Sequence, residues 1–126
     1  MKTCLIVDDS KVLRRIARKM LEELGFSVDE AEDGQKALEK SKAQLTDMIL
    51  LDWNMPVMNG LEYLIALRQL PGGDKPKVVL CTTETELANI VKAMEAGANE
   101  YIMKPFDRDI LESKLSQVGL VESKDI

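Results

Sequence analysis

The sequence predicts an α/β fold in which one parallel β-sheet carries helices on both of its faces. Short apolar runs alternate five times with longer segments of helical period, and this alternation is typical of parallel strands that are buried on both sides. The chain has 126 residues, of which 45% are hydrophobic and 31% charged, so it can enclose one hydrophobic core. We therefore expect a single domain over residues 1–126, with a core at about 2–118 and a short tail at 119–126.

The first two strand and helix pairs lie within residues 3–44. The strand TCLIVD precedes a helix that stops at Gly25, and apolar side chains recur along this helix at spacings of 3, 4 and 4 residues: Leu13, Ile16, Met20 and Leu24. The strand FSVDEAE has a weaker, alternating pattern. Asp33 and Gly34 open the short helix DGQKALEKSKAQ that follows it.

The other three pairs repeat this order. DMILLD is the most apolar strand, which favours a central place in the sheet, and the helix NGLEYLIALRQL follows it as far as the breaker PGGDKP. The fourth strand is KVVLCT. The helix after it stops at Gly97 and has one apolar face: Leu87, Ile90, Val91 and Met94. The strand NEYIM and the helix DRDILESKLSQV complete the series.

Composition and charge exclude several classes of protein. The net charge of -5, with 22 acidic against 17 basic residues, argues against a protein that binds nucleic acid mainly through phosphate contacts. No apolar stretch is long enough to span a membrane, and MKTCLIVDDS becomes acidic too early for a signal peptide. We expect a cytoplasmic protein that binds neither nucleic acid nor membrane. Cys4 and Cys81 lie in apolar strands without metal-binding spacing, which predicts reduced thiols.

Polar residues follow the carboxyl ends of four predicted strands, and the sequence contains no histidine. Parallel α/β sheets bind their ligands at this edge. The residues concerned are Asp8, Asp9, Asp52, Thr82, Thr83, Lys104 and Pro105. Taken singly, each has a structural explanation: Asp8, Asp9 or Ser10 could cap helix one, Asp52 could begin an Asx-turn, and Thr82 could pack as a strand residue. Taken together, three carboxylates and one ammonium group at one edge indicate a functional site.

The charges of this site restrict its chemistry. Two carboxylates at about 4 Å repel by roughly 4 kcal/mol at an effective dielectric of about 20, so three of them require a proton or a cation. Oxygen ligands without histidine or thiolate favour Mg²⁺ over zinc. Asp52 could then attack phosphorus as a carboxylate nucleophile, while Lys104 and the Thr82 hydroxyl bind phosphoryl oxygens.

Four segments, LIVDDS, LLDWNMP, CTTE and EYIMKPF, resemble the signature segments of response-regulator receiver domains. The likeness spans residues 2–118 and is closest to stand-alone CheY-like chemotaxis receivers. This resemblance implies a flavodoxin-like (βα)5 fold with strand order 2-1-3-4-5. It also implies a two-component signalling protein in which Asp52 accepts a phosphoryl group from a histidine kinase or a histidine phosphotransfer protein.

The resemblance assigns roles at the acidic site. The implied ligands of Mg²⁺ are Asp9, Asp52 and the backbone carbonyl of Asn54, with Asp8 in a supporting place. Lys104 would contact the phosphoryl group, and its peptide bond to Pro105 would be cis. Asn54 and Glu84 would contact the water that hydrolyses the acyl phosphate. The protein would thus catalyse its own phosphorylation and dephosphorylation without being a classical enzyme.

The resemblance also implies a switch and its output. Thr82 would move toward the phosphoryl group, and the Tyr101 ring would turn inward into the space that Thr82 leaves. The partner-binding face would be helix four, strand five and helix five of a monomer. The flagellar motor switch, kinase feedback and a phosphate sink all remain open as outputs.

Helix one has a basic strip with two interpretations: Lys11, Arg14, Arg15 and Arg18. It is either a solvated face or the docking surface for the phosphohistidine partner. Two other functions compete with a receiver. An aspartate-nucleophile phosphohydrolase needs a second acid two residues after the nucleophile, where this chain has Asn54. A flavodoxin-like redox module needs a phosphate-binding loop after strand one, and Asp8 with Asp9 would repel a phosphate there.

Overall fold

The structure, a computed structural model, describes residues 2–83 and 87–121, without the side chain of Leu87. Within these residues five strands and five helices alternate along the chain. Their bounds are β1 (Thr3–Val7), α1 (Lys11–Glu23), β2 (Ser27–Ala31), α2 (Gly34–Ala43), β3 (Met48–Asp52), α3 (Gly60–Arg68), β4 (Lys77–Thr82), α4 (Leu87–Glu95), β5 (Glu100–Met103) and α5 (Arg108–Gln117). All five strands fall inside the predicted segments.

The strands form one parallel sheet in the order β2-β1-β3-β4-β5, which confirms the predicted flavodoxin-like topology. The register aligns the carboxyl ends of neighbouring strands. Val7 lies opposite Leu51, and Thr82 lies opposite Met103. The residues that follow these positions therefore meet at one edge of the sheet.

Local sequence signals explain where the helices begin and end. Asp33 caps α2 by accepting a hydrogen bond from the Lys36 amide, as predicted, and Ser10, one of the three candidate caps of α1, caps that helix. Gly25 and Gly97 have φ angles of 95° and 111°, which confirms both predicted helix stops because side chains rarely adopt this conformation.

The hydrophobic core has two layers, one on each face of the sheet. Helices α1 and α5 cover one face, and α2, α3 and α4 cover the other. Fully buried side chains mark the two layers: Leu21, Leu111 and Leu115 in the first, and Tyr63, Leu64 and Leu67 in the second. Cys4 and Cys81 are free and buried, as predicted, and burial raises the pKa of both thiols.

The predicted apolar face of α1 is only partly buried. Ala17 and Leu21 are buried, whereas Leu13 and Ile16 are 41% and 48% exposed. The helix begins only four residues after β1 ends, so its first turns lie beside the carboxyl edge of the sheet. Leu13 and Ile16 there line an open groove with Phe106 instead of entering the core.

The structure differs from two further expectations, one about the apolar face of α4 and one about the C-terminal tail. On α4, Ala93 is buried, and Val91 and Met94 are both more than 40% exposed. Leu120, which lies in the predicted tail, is buried against α1 and α5, so the packed core continues beyond Val118. None of the described helices has the length and apolar character that a membrane span requires.

Candidate functional site

Three aspartates converge at the carboxyl edge of the sheet. Asp8 directly follows β1, Asp52 is the last residue of β3, and these two strands are neighbours. Asp9 is the next residue of the β1–α1 loop. One carboxylate oxygen from each aspartate lies within 4.8 Å of the other two. The predicted convergence of these three carboxylates is therefore confirmed.

Lys104 brings a positive charge to this cluster from the end of β5. Its Nζ atom lies 2.9 Å from Asp8 Oδ2 and 3.3 Å from Asp52 Oδ1, and its side chain is 14% exposed. The Lys104 amide donates a hydrogen bond of 2.8 Å to the carbonyl of Thr82, which extends the β4–β5 pairing to the edge. The peptide bond from Lys104 to Pro105 is cis, as the resemblance implies.

Burial and charge shift two pKa values in the cluster. Burial is the main reason why the pKa of Asp52 is raised; the Lys104 ammonium lowers it, and the charge of Asp8 raises it. Burial also opposes the charged form of Lys104. The hydrogen bond to Asp8 and the attraction of Asp52 outweigh that effect, so the pKa of Lys104 is raised as well. The ammonium group therefore stays charged at neutral pH.

The two neighbouring aspartates of the β1–α1 loop differ in their surroundings. Asp8 is buried; its Oδ1 atom accepts a hydrogen bond of 2.9 Å from the Ser10 amide, and its Oδ2 atom accepts one from Lys104. Asp9 is exposed to solvent. Both oxygens of Asp8 are thus engaged within the protein, whereas Asp9 can offer its carboxylate to a cation. An oxygen-only donor set of this kind fits Mg²⁺.

The β3–α3 loop carries the residues that follow Asp52. The Gly60 amide donates to the Trp53 carbonyl at 3.0 Å, and a Cβ atom at Gly60 would lie 2.4 Å from the Asp52 carbonyl oxygen, so only glycine fits there. The hydrogen bond to Trp53 and the close approach to the Asp52 carbonyl fix the start of α3 against the end of β3. Asn54 lies exposed in the loop. Glu84, its predicted companion at the hydrolytic water, lies outside the described residues.

Thr82 and Tyr101 lie on the adjacent strands β4 and β5. Thr82 is 8% exposed, and Tyr101 lies opposite Leu80, two positions before Thr82 in the register. Because side chains alternate along a strand, Leu80 and Thr82 point to the same face of the sheet, and the Tyr101 ring packs there too. The Lys114 Nζ atom lies 4.6 Å from the centre of that ring.

An open groove, which was not predicted, adjoins the acidic cluster. Its volume is about 360 Å³, and it reaches from α1 to Asp52 and Lys104. Most of its lining is apolar, including Leu13, Ile16, Met20 and Phe106. The spacing along α1 placed three of these residues on one face of the helix. It did not indicate that this face remains open.

Ion pairs between α1 and β2 were also not predicted. Arg14 and Arg18, two members of the basic strip, both pair with Glu30, at 3.0 Å and 2.7 Å. Arg14 also donates to the carbonyl oxygen of Asp8 at 2.7 Å. The basic strip of α1 therefore consists of two exposed residues and two that form ion pairs. Lys11 and Arg15 face solvent, and the other two residues are bound within the protein.

Comparisons with known proteins agree on one family and one fold. The family model described as the response regulator receiver domain matches residues 4–116. Chemotaxis protein CheY1 of Helicobacter pylori is 41% identical over 116 residues, which are 90% of this chain and 94% of that protein.

Solved structures give the same result. Chemotaxis protein CheY4 of Vibrio cholerae has a TM-score of 0.89 and 34% identity, covering 94% of this chain and 98% of its own. The receiver domain of the sensor histidine kinase PA1611 from Pseudomonas aeruginosa has a TM-score of 0.85 and 28% identity, covering 92% and 95% of the two chains. In that structure a magnesium ion is coordinated in the active-site cleft.

Proposed function

The chain belongs to the response regulator receiver domain family, and on this basis we propose that it is a two-component signalling switch that carries a phosphoryl group on Asp52. The observation that supports this most directly is the position of Asp52. Its carboxylate ends the central strand β3, contacts the Lys104 ammonium at 3.3 Å and lies within 4.8 Å of two further carboxylates. This arrangement combines a nucleophile with a group that can neutralise an incoming phosphoryl oxygen.

The reaction is a transfer between two residues. An oxygen of Asp52 attacks the phosphorus of a phosphohistidine, the bond from phosphorus to nitrogen breaks, and the imidazole leaves with the electron pair. The product is an acyl phosphate on Asp52. Lys104 then exchanges its contact with the Asp52 oxygen for one with a phosphoryl oxygen, while it keeps its shorter contact with Asp8.

The charges of the cluster fit a divalent cation. Three carboxylates and one ammonium group leave a formal charge of two minus on Asp8, Asp9, Asp52 and Lys104. We assign Asp9, Asp52 and the carbonyl of Asn54 as the groups that hold Mg²⁺, and Asp8 as the support that also binds Lys104. When bound, Mg²⁺ supplies positive charge to the phosphoryl oxygens during transfer.

The output follows from Thr82 and Tyr101. The Thr82 hydroxyl hydrogen-bonds a phosphoryl oxygen once Asp52 is modified, and the Tyr101 ring turns inward against it. The changed surface comprises α4, β5 and α5, and a downstream protein reads it. Asn54 and Glu84 assist hydrolysis of the acyl phosphate, which resets the switch.

The exposed side of α1 is suited to the phosphodonor protein. Its apolar residues Val12, Leu13 and Ile16 are at least 41% exposed, and the last two line the groove that leads to Asp52. Lys11, Arg15 and Lys19 form an exposed basic stripe beside them at spacings of four residues. A histidine kinase or phosphotransfer protein would bind here through a helix with an apolar seam and acidic flanks. The free thiols of Cys4 and Cys81 fit a reaction in the cytoplasm.

A mass measurement with a small phosphodonor tests the acceptor. We expect the wild-type protein to gain one phosphoryl group in the presence of Mg²⁺ and to lose it again with time. Asp52→Asn should gain none. Asp74→Asn, which changes an exposed aspartate of the α3–β4 turn, should behave like the wild type. Uptake by Asp52→Asn would overturn the assignment.

A further inference from the structure

Arg14 connects the acidic loop to the edge of the sheet. Its Nη1 atom donates to the carbonyl oxygen of Asp8 at 2.7 Å, and its Nε atom donates to Glu30 Oε1 at 3.0 Å. The side chain is only 13% exposed, and it lies on the face of α1 that also carries the buried Ala17 and Leu21. Two separate nitrogen atoms of one planar group thus join the β1–α1 loop to β2.

The carbonyl that Arg14 binds belongs to the peptide group between Asp8 and Asp9. A peptide group is planar, so a hydrogen bond to its oxygen restricts the rotation of the whole unit. This unit carries Asp8 at one end and Asp9 at the other. Holding its oxygen therefore limits the directions in which both carboxylates can point.

The same strand holds the other side of Asp8. The Asp8 amide donates to the Ala31 carbonyl at 3.1 Å, and Glu30, the neighbour of Ala31, holds the Asp8 carbonyl through Arg14. Two adjacent residues of β2 thus fix both polar groups of the Asp8 backbone. The loop is anchored before any cation binds.

Glu30 is itself held in place. It accepts a hydrogen bond of 2.7 Å from Arg18, which is the main reason why its pKa is lowered; burial opposes this effect, and Arg14 adds to it. The carboxylate therefore stays ionised and orients Arg14 from a fixed position. Arg14 is thus held by Glu30 while it holds the Asp8 carbonyl.

We propose that Arg14 is a positioning residue for the magnesium site, because it fixes the Asp8–Asp9 peptide group in the orientation that presents the Asp9 carboxylate. This inference rests on the proposed function, in which Asp9 holds Mg²⁺. A lysine cannot replace Arg14, since a single ammonium nitrogen cannot bind the Asp8 carbonyl and Glu30 in this forked geometry.

Charge and geometry predict opposite effects of removing Arg14. As a mere cation near the cluster, Arg14 would repel Mg²⁺, and its loss would tighten metal binding. As a positioning residue, its loss would weaken binding because the loop must then be ordered when the metal binds. The direction of the change in affinity therefore distinguishes the two roles.

The test is a Mg²⁺ titration followed by the emission of Trp53, the single tryptophan, which adjoins Asp52. We expect Arg14→Met and Arg14→Lys to weaken binding about tenfold, the lower end of what removal of a ligand-orienting group costs. Glu30→Gln should weaken it less. Arg15→Met removes an exposed charge from the same helix and should leave affinity unchanged or slightly higher. Unchanged or tighter binding by Arg14→Met and Arg14→Lys would overturn the proposal.

A second measurement on the metal-free protein separates this inference from the proposed function. The ¹⁵N order parameter of the Asp9 amide should fall in Arg14→Met and stay at the wild-type value in Arg15→Met. Should the wild type bind no Mg²⁺, the proposed function fails, and the order parameter still reports whether Arg14 fixes the loop. Thermal unfolding confirms that each variant is folded. If Arg14→Met does not fold, the Mg²⁺ affinity of Glu30→Gln tests the proposal instead. Wild-type affinity in that variant would contradict the proposal.

Discussion

The ammonium group of Lys104 lies closer to Asp8, at 2.9 Å, than to Asp52, at 3.3 Å. Asp8 therefore anchors Lys104, and the weaker contact with Asp52 can be exchanged for a phosphoryl oxygen. The same ammonium group repels a divalent cation that binds nearby. Lys104 thus has opposite effects on the two partners that we propose for this site.

Lys104→Met should separate these effects. We expect phosphoryl uptake from a small donor to slow by about a hundredfold, as when one group that stabilises the transition state is removed. Mg²⁺ should bind more tightly, because a positive charge has left the cluster. Uptake is measured by intact mass and affinity by Trp53 emission. Lys75→Met, at an exposed lysine, serves as the control, and weaker metal binding by Lys104→Met would contradict this account.

Stability should depend on the ionisation of Asp52. Its pKa is raised mainly by burial, so the ionised carboxylate destabilises the folded state at neutral pH. This destabilisation disappears as the pH falls through the raised pKa toward the ordinary value of 3.8. Asp52→Asn should therefore increase the free energy of unfolding at neutral pH by about 1 kcal/mol, or roughly 4 °C in melting temperature. The difference should vanish below the ordinary pKa. A difference in unfolding free energy that grows as the pH falls would contradict burial of Asp52 as the cause.

The groove along α1 should matter only for a protein donor. Ile16→Ser removes an apolar side chain that is 48% exposed, so we expect stability to change by less than about 0.5 kcal/mol. Uptake from a small donor should be unchanged. Transfer from a phosphorylated histidine partner should lose about tenfold in kcat/KM, the usual effect of truncating one anchoring contact. Ile65→Ser on α3, where the side chain is 46% exposed, is the matched control and should transfer normally.

The Thr82 hydroxyl should be needed for output and not for labelling. Thr82→Ala should still take up a phosphoryl group and lose phosphorylation-dependent binding to its target. Thr83→Ala changes the neighbouring exposed threonine and should keep both properties. Binding is measured with the beryllofluoride-treated protein, which keeps the acceptor occupied. Unchanged binding by Thr82→Ala would remove this residue from the switch.

The strands and the acidic edge were predictable because their signals are local. An apolar run that ends in aspartate identifies both β3 and Asp52, and parallel strands bring such endings together. The strand order came from the family resemblance, since a pattern of alternating elements is compatible with several orders. The helix period shows that Leu13 and Ile16 lie on the same face of α1. It does not show whether that face packs into the core or borders an open groove. The Arg14–Glu30 pair joins residues 16 positions apart that only the packing of α1 beside β2 brings together.

The position of the Tyr101 ring should depend on Lys114. The Lys114 ammonium lies 4.6 Å from the ring centre and 3.5 Å from Glu100 Oε1, so Glu100 holds the cation over the ring. Such a contact contributes about 0.5–1 kcal/mol at a partly exposed site, which corresponds to a two- to fivefold change in population. Lys114→Met should therefore move the ¹⁹F signal of 3-fluorotyrosine at Tyr101 toward its beryllofluoride-bound position. Tyr63 is fully buried and gives the second, invariant signal, and an unmoved Tyr101 signal would show that Lys114 does not hold the ring.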